Sequence, residues 1–358
     1  MKEKLSENEE EILQKLIEIS SIPSNSGDEI IKGRYMQKLF YEYGIKNVHI
    51  DPFGNVIGEI KGESDEKLVV FADLDSNLPP SKLRVTMRDI SGSGVGTSSY
   101  PLFVLAQIGK MIVSEKKLKK TIVLVCFSEG KRNHTGIKFF LENFSEKIEG
   151  MIYLKGLEEG RLEKSTSAYI SVNIYFKEKD LERVREDNKN RIFYSISKLI
   201  GRIKEEDIVE IFNFRVEDIE KIRKESEKYI VKVGISSANS EGAEEGLKIL
   251  KEIVEGIKAE EGVSVDLHQE FYSNGSYSSK ERLYNIYADQ LRENDQKVYC
   301  VYESSEISVP LNKNIDTICF GIGRGGNLNR ENEYLEIKSI YKGLEMVYKG
   351  ILQFDKED

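Results

Sequence analysis

Leu68-Val69-Val70-Phe71-Ala72 is apolar at every position and ends abruptly in the acidic cluster Asp73-Leu74-Asp75. A strand with one wet face alternates apolar and polar residues. A run without alternation reads as a strand buried on both faces, the condition of a parallel sheet sandwiched by helices. The acids at its end then reach a site at the sheet edge. The same pattern recurs at Thr121–Phe127, Gly150–Leu154 and Thr317–Gly321, and segments with helical spacing separate these runs. Ser6-Glu7-Asn8-Glu9 forms a capping box before a helix through Ile12, Leu13, Leu16, Ile17 and Ile19, and a second helix runs from Asp28 to Tyr43 with Gly44 as its stop. Strands follow near Asn47–Asp51 and Asn55–Ile60. Further helices are read after Gly96 and at His134–Glu142, Ser278–Glu293 and Glu336–Gln353, with another strand at Val298–Tyr302. The predicted class is α/β, a mixed and mostly parallel sheet flanked by helices, with ligands bound at the C-terminal ends of the strands.

The pattern changes after residue 163. Tyr169–Tyr175 alternates, a long helix spans Leu181–Ile203, and strand Tyr229–Ile235, helix Gly242–Ala259 and strand Val263–His268 follow. This predicts an inserted, half-exposed antiparallel sheet carrying two helices, an α+β ferredoxin-like layer. The expected organisation is a core built from residues 1–162 and 275–358, interrupted by an inserted domain at 163–274.

With 358 residues, two domains are the default expectation. The formal charge of -9 argues against a nucleic-acid binder. No run of 18 apolar residues occurs, and Met1-Lys2-Glu3-Lys4 does not open an apolar signal core, so a soluble, cytoplasmic protein without a membrane partner is expected. Cys126, Cys300 and Cys319 all lie in apolar runs and read as reduced core cysteines. The only histidines are His49, His134 and His268, a scarcity that constrains any zinc site.

Six segments together carry a family resemblance. Leu16–Glu29 (LIEISSIPSNSGDE) resembles the "l..l..ipS.sg.E" opening of di-zinc metallopeptidase family twenty, the superfamily of peptidase T, carboxypeptidase G and succinyl-diaminopimelate desuccinylase. Asp51–Val56 is similar to that family's D-x-x-G-N-v, and Gly94–Ser99 stands where it has a G-A-D-D-K type turn. Phe127–Gly136 is similar to F-T-P-D-E-E-I-G-R-G, Tyr153–Gly156 to Y-x-x-D-G, and Gly326–Tyr334 to G-x-x-H-x-x-x-E-[FY]. The Leu68 strand, which in the family ends in His-x-Asp, adds to these six.

The resemblance implies a substituted site. The first zinc His becomes Asp73, the bridging Asp becomes Gly96, the ligand Glu becomes Arg132, the second Asp becomes Lys155, and the last His becomes Asn329. The general base becomes Lys131, and only the orienting Asp75 survives. Asp73, Arg132 and Lys155 leave these positions cationic before any metal is added, which disfavours divalent ions. The expectation is therefore no cofactor, no catalytic group, and a charge network in which the cations pair with Asp73 and Asp75. Asp73, Asp75, Lys131, Arg132 and Lys155 then form a cleft for an unidentified small molecule or peptide.

The alternative is an active peptidase or N-acyl amino acid hydrolase, with zinc held by displaced ligands such as Glu129, Asp73 and His134. Kinship also implies a homodimer through the inserted domain. That domain lacks the family's His in Tyr169–Lys179 and its Arg in Val231–Ser240, and Glu303-Ser304-Ser305-Glu306 stands for G-G-[ST]-D. Gly92–Thr97 before a helix offers a phosphate-like cradle but lacks the spacing of a nucleotide motif.

Overall fold

The structure is a computed structural model that describes residues 9–76, 78–115, 117–130, 134–177, 186–206, 212–224, 226–261, 263–301 and 305–357. These form two compact units. Unit 1 comprises Met1–Lys164, Ser278–Val301 and Val309–Asp358, and unit 2 comprises Ser165–Tyr277 and Tyr302–Ser308.

Unit 1 opens with helices α1 (Glu9–Ser20) and α2 (Ile30–Glu42); Ser6, Glu7 and Asn8 of the expected capping box lie outside the described residues. Its main sheet contains β1 (Lys46–Ile50), β2 (Val56–Ile60) and β3 (Lys67–Asp73). The small hairpin β4 (Arg84–Val85) and β5 (Asp89–Ser91) leads through a π-helical turn, Val95–Ser99, into α3 (Tyr100–Val113). Then come β6 (Thr121–Phe127), α4 (Thr135–Asn143), β7 (Ile148–Lys155) and β8 (Leu162–Glu163).

Unit 2 holds β9 (Ser165–Thr166), β10 (Ala168–Lys177), α5 (Glu186–Glu206), β11 (Phe212–Lys224), β12 (Ser226–Ser237), α6 (Ser240–Glu261), β13 (Ser264–Ser273) and β14 (Ser276–Tyr277). The chain returns to unit 1 with α7 (Arg282–Glu293), β15 (Asp316–Gly321), β16 (Gly325–Gly326), β17 (Tyr334–Glu336) and the terminal helix α8 (Ile337–Lys356).

The main sheet runs β1-β2-β6-β3-β7-β15-β8. Its four middle strands are parallel, and its edge pairings are antiparallel. Every residue of β3 and β6 is buried. Leu68, Val69, Val70 and Phe71 are fully enclosed, each worth roughly 1.5–3 kcal/mol relative to exposure. The register Phe71↔Tyr153, Asp73↔Phe127 and Gly321↔Lys155 brings the C-terminal ends of the four parallel strands to one edge. The mostly parallel, helix-flanked sheet expected from the apolar runs is therefore present.

Unit 2 follows a β-α-β-β-α-β path with strand order β11-β12-β10-β13. Its core joins Ile170, Val172, Ile174 and Phe176 to Leu199 of α5 and to Leu250 and Ile257 of α6. Strand β11 escapes the sequence reading because Arg215, Glu217, Asp218 and Glu220 interrupt its apolar positions. The strand expected at Val298–Tyr302 is reduced to one parallel bridge, Tyr299↔Arg161, because the segment pairs with the loop after β7 while β8 takes the edge of β15. Cys300 is consequently exposed rather than in the core, whereas Cys126 and Cys319 are buried.

Candidate functional site

The loop between α1 and α2, the turn between β1 and β2 and the turn after β6 are tied together by polar groups. Asp51 accepts the backbone N–H groups of Phe53, Gly54 and Asn55 at 2.9 Å and the Asn55 side-chain amide at 2.8 Å. Asn55 then clips two other segments, donating to the Gly136 carbonyl at 3.0 Å and accepting from Ser128 N at 2.9 Å. Glu29 is buried and accepts from Gly27 N, Glu129 N and Ser128 Oγ. These bonds satisfy groups that would otherwise be stranded beside the strand ends.

Asp73 is the last residue of β3. Its Oδ2 accepts the Tyr153 hydroxyl at 2.7 Å, and Tyr153 stacks on Phe71 from the neighbouring strand. Gly130 lies directly over the other oxygen, since a Cβ there would fall 2.0 Å from Asp73 Oδ1. Asp75 is wholly enclosed and accepts the Ser26 hydroxyl at 2.5 Å, while its carbonyl accepts from Ser98 Oγ.

Across the strand-end edge, Lys155 closes β7 with its ammonium 5.7 Å from the Tyr153 ring centroid, within cation–π range. Gly96 sits in the π-helical turn, and the volume beside it is taken by Leu157. A Cβ on Gly96 would lie 2.5 Å from Leu157 Cδ2, and Leu157 belongs to the apolar core. The backbone N–H of Gly96 donates to Glu333 Oε1 at 2.7 Å. Thr97 adds its N–H to the same oxygen and its hydroxyl to Oε2, both at 2.8 Å, and Asn329 N donates to Oε2 at 3.0 Å. The expected phosphate-like cradle thus holds a carboxylate of the chain itself. Glu333, four residues beyond Asn329, is the Glu of the final quoted motif, the one signal that could have singled it out.

Neither protein-family models nor curated proteins gave a match to this sequence. Solved structures did. A tripeptidase from Staphylococcus aureus superposes with a TM-score of 0.78 at 15% identity, covering 98% of this chain and 99% of that one. Dug1p, a di-peptidase from Saccharomyces cerevisiae, gives 0.79 at 11% identity over 99% and 98%. An M20 family metallo-carboxypeptidase from Sulfolobus solfataricus gives 0.72 at 11% identity, covering 96% and 99%. The fold is that of the M20 peptidases.

One structure with the M20 fold, YXEP from Bacillus subtilis, is described as a dinuclear metal-binding peptidase, so the fit of a metal to these residues can be tested. Among the described residues the donor set does not fit. Gly96 offers no side chain and its space is filled by Leu157, while Lys155 when protonated has no lone pair to give.

The displaced trio of Asp73, Glu129 and His134 does not assemble a metal-binding group either. His134 Nδ1 lies 2.9 Å from the Gly130 carbonyl, and Glu129 Oε2 accepts from Thr135 Oγ1 at 3.3 Å. Among the described residues no three His, Cys, Asp or Glu side chains converge as a metal ion requires. Lys131 and Arg132, and with them their expected pairing with Asp73 and Asp75, lie outside the described residues, as do Glu303 and Ser304. No helix among the described residues is long and apolar enough to cross a membrane.

Proposed function

We propose that this chain is a catalytically degenerate relative of the M20 peptidases, metal-free and acting as a binding or scaffolding protein. The observation that carries this reading is Leu157. Its side chain occupies the volume over Gly96 where the sequence resemblance places the metal-bridging carboxylate, so that corner is apolar and packed rather than open and anionic. A divalent ion needs anionic or neutral donors with free lone pairs, and Gly96, Leu157 and Lys155 supply none.

Elemental analysis of protein purified without chelator tests the first half of the reading, and di- and tripeptide hydrolysis assayed with and without added zinc tests the second. The expected result is substoichiometric metal and no zinc-dependent cleavage. Stoichiometric zinc together with peptide cleavage overturns the proposal. The same kinship supports a homodimer through unit 2. Sedimentation across a concentration series checks this, and a species of monomer mass throughout sinks it.

A further inference from the structure

Unit 2 covers one face of its four-stranded sheet with α5 and α6, and among the described residues no helix packs on the opposite face. Side chains alternate along a strand, so Tyr169, Ser171, Asn173 and Tyr175 of β10 share that second face. Cross-strand register sets Asn173 between Lys232 of β12 and His268 of β13. Paired residues of this kind stand about 5 Å apart. Tyr169 lies across β12: a Cβ on Gly234 would meet its Oη at 2.7 Å, and the hydroxyl is donated to Glu217 of β11. Tyr175 meets the His268 ring edge-on at 5.3 Å, and Phe271 lies 6.2 Å from Tyr169. His268 is exposed, and Tyr169, Tyr175 and Lys232 are partly exposed.

One group on this face is out of balance. Asn173 is 8% exposed, and its Oδ1 is sealed from solvent yet accepts no hydrogen bond among the described residues. An acceptor stranded in this way loses its hydration without regaining a partner. Rotation about χ2, a torsion with a broad minimum, turns this oxygen toward an incoming donor. A carboxamide carries one acceptor and an adjacent donor, the complement of the N–H and C=O of a peptide group. The Tyr169 and Tyr175 rings flank it along the strand, and Lys232 and His268 stand on either side as donors for further carbonyls.

We infer that the helix-free face of unit 2 binds an extended peptide segment, with the Asn173 carboxamide pairing one peptide group through both its oxygen and its nitrogen. The carboxamide pairs with one peptide group, Lys232 and His268 donate to neighbouring carbonyls, and the rings wall the bound segment. A nucleic-acid strand is disfavoured by Glu217 and Asp266 on the same face and by the net charge of -9. The inference rests on unit 2 alone and does not depend on the reading of the strand-end edge of unit 1.

The test uses the full chain and capped tetra-alanine as probe, alongside the same peptide N-methylated at its central amides. With three histidines in the sequence, the His268 imidazole signals are readily assigned by NMR. The parent peptide is expected to shift them and to slow hydrogen exchange along β10. The N-methylated peptide, which has lost the N–H that Oδ1 would accept, is expected to bind about tenfold more weakly. Asn173→Leu and the near-isosteric Asn173→Asp are both expected to weaken the parent peptide by about the same factor. Equal binding of the two peptides, an undiminished response in Asn173→Asp, no response up to the solubility limit, or saturable binding of an oligothymidylate to this face each overturns the inference.

Discussion

At the residue scale, the strand-end site is defined by what has been fitted around missing side chains. Gly130 touches Asp73 so closely that Gly130→Ala forces one of them to move, and a loss of about 1–3 kcal/mol in denaturant unfolding is expected. Shortening the acid in the double variant with Asp73→Ala is expected to return part of that loss, because the two residues share one contact. Glu333 is the mirror case. Glu333→Ala leaves the N–H groups of Gly96, Thr97 and Asn329 facing an empty cradle, and a loss of about 3 kcal/mol is expected, read as a lowered urea midpoint at unchanged slope. Asp73 and Asp75 could be read from the sequence, because an acid ending an apolar run marks a strand end. Leu157 and Glu333 could not be read in this way. Their roles arise where separate loops meet, and neither apolar periodicity nor residue type records that meeting.

At the element scale, legibility follows burial. Strands β3 and β6 are apolar throughout and were readable, as were α3 and α8 with their helical spacing. Strand β11 was not readable, because a half-wet edge strand spends its outward positions on charge. The start of α7 gives a pH test. Asp316 of β15 is buried and accepts from Leu283 N at 3.2 Å and Ser278 Oγ at 3.4 Å. Burial pushes its carboxyl above the usual range, against those hydrogen bonds. A raised folded-state value means that the folded chain holds the proton more tightly than the unfolded one. The resulting stabilisation is complete below the ordinary carboxylate value and is lost as pH rises through the raised one. In a series of thermal melts from acid to neutral pH, Asp316→Asn is expected to lack this component. A pH profile identical to the parent's would count against it.

At the scale of the whole molecule, two separate apolar cores predict two unfolding events. Ile257→Ala, at a fully buried position in unit 2, is expected to cost about 2–5 kcal/mol and to lower one calorimetric transition while leaving the other in place. A single transition that shifts as a whole would contradict this. The sheet borders carry another consequence. The seven-stranded sheet ends on one side in the two-residue β8 and on the other in β1, whose pairing is irregular between Lys46 and His49 and whose outer residues are largely exposed. Short or broken borders are poor templates for strand addition. The long border strand β11 instead presents Arg215, Glu217, Asp218 and Glu220 to solvent, so an added strand must match charges of both signs. Concentrated solutions of the folded protein are therefore expected to resist fibril growth from the borders β1, β8 and β11, with strand addition there confined to chains whose borders have first come apart.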